Sequence, residues 1–71
     1  LARQGKLDRA ARELKILLEY DPENAGARTN FGLVLLRQGR FADARGQLEE
    51  ALRLDPGLTP AREALASIPN Q

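Results

Sequence analysis

The chain has 71 residues, 11 Lys+Arg against 10 Asp+Glu, and no His, Cys, Met or Trp. That excludes thiolate or imidazole metal sites, disulfides, and Ser–His–Asp or Cys–His catalytic groups. A net charge of +1 gives no case for a general nucleic-acid binder, and no apolar run is long enough to span a membrane. The apolar content is mostly Leu and Ala, with few β-branched residues and only Tyr20, Phe31 and Phe41 as aromatics, so an all-helical chain is expected.

Residues 1–4 read as the tail of a helix ended by Gly5. Residues 7–20 read as a helix whose apolar face is Leu7, Ala10, Ala11, Leu14, Leu17 and Leu18. Its polar face carries Asp8 and Arg12 at i,i+4 spacing, an acid-before-base pair. Pro22 stops it, because the residue before a proline is pushed out of the α region. Residues 25–38 and 41–54 then read as an antiparallel pair turned at Gly39. The first directs Ala27, Phe31, Val34 and Leu35 inward; the second directs Phe41, Ala44, Leu48, Ala51 and Leu52. Glu49 and Arg53 repeat the i,i+4 pairing. Gly46 falls inside the second helix, where it costs roughly 1 kcal/mol against Ala. Pro56 ends that helix, and Thr59-Pro60 reads as the N-cap and first residue of a short last helix over 60–68.

The chain also matches itself without a gap at an offset of 34 residues. Leu1-Ala2-Arg3-Gln4-Gly5 falls on Leu35-Leu36-Arg37-Gln38-Gly39, Ala10 on Ala44, Leu14 on Leu48 and Leu18 on Leu52. Asp21-Pro22 falls on Asp55-Pro56 and Ala27-Arg28 on Ala61-Arg62. A period of about 34 with Gly and Pro kept in register is the mark of a helical hairpin repeat.

These residues resemble the tetratricopeptide repeat family. Phe31-Gly32 is similar to the Leu-Gly pair of that family's first helix, Gly39 and Phe41 to its turn and the following aromatic, Ala44, Leu48 and Ala51 to its second-helix packing positions, and Asp55-Pro56 to its close. The resemblance implies an all-α, right-handed solenoid of antiparallel helix hairpins over a single domain, residues 1–71. Residues 1–24 would be a partial repeat, 25–58 a full repeat and 59–71 the start of a third or a capping helix. Arg28 and Arg62 depart from the family, which has a large aromatic there, and Leu17 replaces its usual Ala. Because repeats bury their faces only against neighbours, the chain is expected to be a fragment whose helix 7–20 lacks a partner. Self-association or a marginal fold would follow.

No residue set supports catalysis. Glu49 and Glu50 are adjacent and do not face each other, and Ser67, the only serine, has no activating base. The expectation is a non-catalytic protein–protein interaction module without cofactor or metal. It would bind no nucleic acid and would be soluble, with the cytoplasm favoured over the periplasm and the compartment otherwise open. The alternative is a structural spacer or self-association element of a larger multidomain protein, with a homodimer formed through exposed repeat faces. The resemblance implies a concave groove lined by first helices. Carried over position by position, it assigns Gly26, Thr29, Asn30, Leu33, Leu36 and Arg37 in the full repeat, Arg3 on one side, and Glu63 and Ser67 on the other. Leu33 and Leu36 either face this groove or pack on a neighbouring repeat. The clamp by which chaperone-binding members hold a peptide carboxylate is mostly absent. Asn30 matches one clamp Asn, but Thr29 stands for its Lys and Leu33 for its other Asn. A peptide or partner helix of mixed character is the expected ligand.

Overall fold

A computed structural model describes residues 2–69; Leu1, at the head of the expected first tail, and Asn70 and Gln71 lie outside it. Four helices follow in order: α1 (Ala2–Tyr20), α2 (Ala25–Arg37), α3 (Phe41–Leu54) and α4 (Thr59–Ala66). The Cα envelope measures 35 × 32 × 16 Å, broad in two directions and thin in the third, as helices laid side by side require. In it α2 is central: it packs on α3, on α1 and on α4, while α3 also packs on α4.

The helix ends follow from local chemistry. Asn24 caps α2, its Oδ1 accepting the Ala27 N–H at 2.9 Å, a bond that satisfies one orphan donor of the first turn. Gly39 closes the α2–α3 turn at φ +79°, the left-handed region where a side chain is strained. Its neighbour Arg40 donates its backbone N–H to the Leu35 carbonyl, completing the helix end. At α4 the expected cap shifts by one residue. Leu58 is the N-cap, Thr59 is already helical, and the Leu58 carbonyl accepts from the Ala61 and Arg62 N–H groups. Pro60 sits within the first turn, where its missing donor costs nothing.

The expected break at Gly5 does not occur; α1 runs continuously from Ala2 to Tyr20. The two glycines that align in the repeat behave differently for a physical reason. Gly39 adopts positive φ and reverses the chain, whereas Gly5 keeps a helical backbone with open space around it. A glycine in a helix is a modest cost, not a stop.

The core joins Leu35 of α2, Ala44, Leu48 and Ala51 of α3, and Ala61, Ala64 and Ile68 at the C-terminal end. Phe31, Leu36, Phe41, Leu52, Leu58 and Leu65 pack around it. Its tightest point is the crossing of α2 over α3. A Cβ at Gly32 would lie 2.6 Å from Leu48 Cγ and 2.7 Å from its Cδ2. Leu48 is fully buried, so it has nowhere to move. Arg28 reinforces the crossing: its Nη1 donates to Gln47 Oε1 at 2.9 Å, and its Nε and Nη2 donate to the Pro22 carbonyl. This is why an arginine serves at a position where the resemblance implies an aromatic.

The two i,i+4 pairs expected from sequence do not form. Asp8 Oδ1 instead accepts from Gln4 and, across the helix interface, from Gln38 Nε2 at 2.8 Å. Arg53 turns to Glu50 rather than Glu49. That hydrogen bond holds the Glu50 carboxyl below its ordinary 4.5. The folded carboxyl therefore titrates below the unfolded one. The pair's contribution is complete above the unfolded value and is lost as pH falls through the lowered folded value.

Two predictions follow from these contacts. Gly32→Ala destabilises the chain by about 1–3 kcal/mol through overpacking against Leu48, whereas Gly46→Ala, with open space at its Cβ, stabilises it by about 1 kcal/mol; chemical denaturation of both variants checks the opposite signs. Glu50→Gln lowers the melting temperature at neutral pH. Melting curves taken along an acid titration should show the gap to the parent chain closing as Glu50 is protonated.

Candidate functional site

One side of α2 is left uncovered by the three helices around it. Gly26, Asn30, Leu33 and Arg37 are all exposed and recur at the spacing of a single helical stripe. Leu33 is 38% exposed, the one large apolar side chain of α2 left this open to solvent. Arg37 takes no part in the three ion pairs formed among the described residues, which join Arg9 to Glu13, Arg40 to Asp43 and Arg53 to Glu50. The stripe therefore offers an amide, an apolar anchor and a cation in line along one helix.

The other residues assigned to the groove fall elsewhere. Thr29 is only 4% exposed, and its Oγ1 donates to the Ala25 carbonyl at 2.9 Å, so its hydroxyl is already used within the helix. Leu36 shares that side of α2 and packs against the core. Of the two leucines left open by the sequence, Leu33 faces outward and Leu36 inward. Glu63 is exposed on α4, at the repeat position that Thr29 occupies on α2. Arg3 is exposed on α1, five residues before Asp8. Because Asp8 meets Gln38 at the C-terminal end of α2, the continuous α1 carries Arg3 about 7.5 Å past that end. Ser67 is exposed, with its hydroxyl donating to the Ala64 carbonyl at 2.7 Å.

Sequence reasoning missed a cleft on the opposite side of α2. It has a volume of about 620 Å³ and lies between α1 and α3, floored by Phe31 and Leu35 and edged by Arg12, Lys15 and Asp43. Gly46 lines it. The glycine was legible only as a loss of helix propensity, but its missing side chain also keeps the α3 wall low.

A family model described as tetratricopeptide repeat matches residues 1–59. The chain belongs to the tetratricopeptide repeat family. The four-helix, strand-free architecture agrees with that assignment. Among curated proteins, the chain is 41% identical over 51 residues to a probable UDP-N-acetylglucosamine–peptide N-acetylglucosaminyltransferase SPINDLY of Solanum lycopersicum. It is 37% identical over 51 residues to the protein of that name from Petunia hybrida, and 38% over 53 residues to that from Eustoma exaltatum subsp. russellianum. The matches cover 72–75% of this chain and 6% of each relative. No solved structure matches it. Tetratricopeptide repeats generally mediate protein–protein contacts. In this one, the described helices include none long and apolar enough to cross a membrane.

Proposed function

We propose that this tetratricopeptide repeat is a non-catalytic module that binds an extended acidic peptide or an amphipathic partner helix along the exposed stripe of α2. The observation that carries the reading is the alignment of Asn30, Leu33 and Arg37 on one uncovered helical face. Leu33 supplies the apolar anchor, whose burial is worth roughly 1.5–3 kcal/mol. Asn30 offers a donor and an acceptor to a peptide backbone, and Arg37 a fork for a carboxylate. The face is built on a rigid helix whose opposite side is locked to α3 through Gly32 and Arg28, so little ordering entropy is lost on binding. The relatives' printed name describes an enzyme acting on peptide, which accords with a polypeptide ligand here.

The test is selection from a displayed peptide library, followed by binding titrations of the selected sequence with Leu33→Ala, Arg37→Glu and Thr29→Val. Leu33→Ala and Arg37→Glu should each weaken binding by about tenfold or more with helix content unchanged. Thr29→Val should bind like the parent chain. Equal binding by all four proteins would reject the stripe.

A further inference from the structure

The cleft between α1 and α3 carries chemistry that the α2 stripe does not use. Its volume of about 620 Å³ lies within the roughly 300–1,000 Å³ of small-ligand sites. Its floor is apolar. Phe31 is half-buried, packing on the core and lining the cleft, and Ala11 adds an apolar patch to the α1 wall. The opening depends on an asymmetry of the repeat: position 46 of α3 corresponds to position 12 of α1. The α1 wall carries Arg12 there, whereas the α3 wall carries Gly46, at which a Cβ would meet nothing within 4 Å.

The charged residues around this cleft are not paired alike. Asp8 Oδ1 accepts from Gln4 Nε2 at 3.1 Å and from Gln38 Nε2 at 2.8 Å. Asp43 on the α3 wall is paired with Arg40 at 2.8 Å. Both acids of the cleft are thus engaged by neighbours. Arg12, which the i,i+4 spacing would give to Asp8, is left without an acid, and so is Lys15. Neither takes part in the three ion pairs formed among the described residues. The two cations stand three residues apart, so they share one face of α1, and both are exposed. On the α3 wall, Gln47 has its Oε1 held by Arg28 Nη1 at 2.9 Å, which leaves its amide N–H groups as donors.

We propose that this cleft is a second binding site, on the side of α2 opposite the stripe, for a polypeptide partner that presents an aromatic side chain next to a carboxylate. The ring rests on Phe31 and Ala11 in the space that Gly46 leaves. The carboxylate reaches Arg12, whose planar fork takes it bidentately, with Lys15 beside it. Gln47 donates to a carbonyl of the adjoining peptide backbone. Charge complementarity selects this occupant: the cleft holds two cations without an acid, while each of its acids already has a donor. A purely apolar segment would leave the cations unused, and an inorganic anion would leave the floor uncovered. The site stands independently of the α2 stripe, which lies on the other side of the helix.

Amide NMR of the isotopically labelled chain, titrated with acetyl-Phe-Glu-amide to about 10 mM, tests this, since one ring and one carboxylate are expected to bind with a Kd of about 1 mM. Signals of Arg12, Lys15, Gly46 and Gln47 should move, while those of Asn30 and Leu33 stay. Acetyl-Phe-Gln-amide should bind about tenfold or more weakly. The double variant Arg12→Gln, Lys15→Gln should bind both peptides equally weakly, with helix content intact because both side chains are exposed. Gly46→Leu should abolish the shifts by filling the cleft, leucine being a good helix former. Cleft signals that do not move, equal binding of the two peptides by the parent chain, or parent-like binding by Gly46→Leu would each overturn the proposal. Shifts confined to Asn30 and Leu33 would overturn it while leaving the stripe reading intact. Inorganic phosphate moving the same signals as strongly would reduce the site to exposed cations and overturn it as well.

Discussion

The approach of α2 to α3 at Gly32 and Leu48 sets the geometry of everything around it. A leucine with no exposed surface fills the space that a side chain at position 32 would need. The helices can therefore come close enough for Ala44 and Ala51, both small, to be fully buried beside it. Close approach between small residues gains dispersion contacts at little side-chain entropy cost. It also orients α2. With one side fixed on α3 and its flanks taken by α1 and α4, only the line of Gly26, Asn30, Leu33 and Arg37 is left to solvent. The exposed stripe is thus what remains of α2 after packing, and its residues owe their exposure to contacts on the far side of the helix.

The same logic explains why equivalent residues differ so much in burial. Leu14 and Leu48 occupy one repeat position, yet Leu48 is fully buried and Leu14 is not. Position within the repeat decides which side of a helix is apolar. Whether that side is covered depends on the neighbouring helix, as expected where stability is a sum of unit and nearest-neighbour terms. In the described structure α3 has a neighbour on both flanks and α1 has α2 alone.

Much of the fold was legible in the sequence because the repeat displays its punctuation twice. Helix α3 occupies Phe41–Leu54 as its periodicity and flanking Gly and Pro predict. The break at Gly5 was misplaced because a glycine in a sequence does not reveal its φ; only the turn at Gly39 uses the left-handed region. Surface ion pairs were also misassigned. Several partners lie within reach of each charged side chain, and the choice of Glu50 over Glu49 by Arg53 involves energies of a few tenths of a kcal/mol. For the site, the family positions on α2 divide between two sides of the helix: Gly26, Asn30, Leu33 and Arg37 are exposed, whereas Thr29 is buried and Leu36 packs against the core. Thr29 and Asn30 are adjacent in sequence and nearly a third of a turn apart in direction, enough for one to be buried and the other exposed. The cleft behind α2 left no pattern in the sequence, since it is formed by separation between helices.

The make-up of the stripe bounds the strength of peptide binding on α2. It holds one large apolar side chain, Leu33, and one cation, Arg37. Lone contacts of this kind give weak binding once rotational and translational losses are subtracted. A ligand that binds tightly would therefore have to reach beyond the stripe, each further contact being intramolecular once the first has formed.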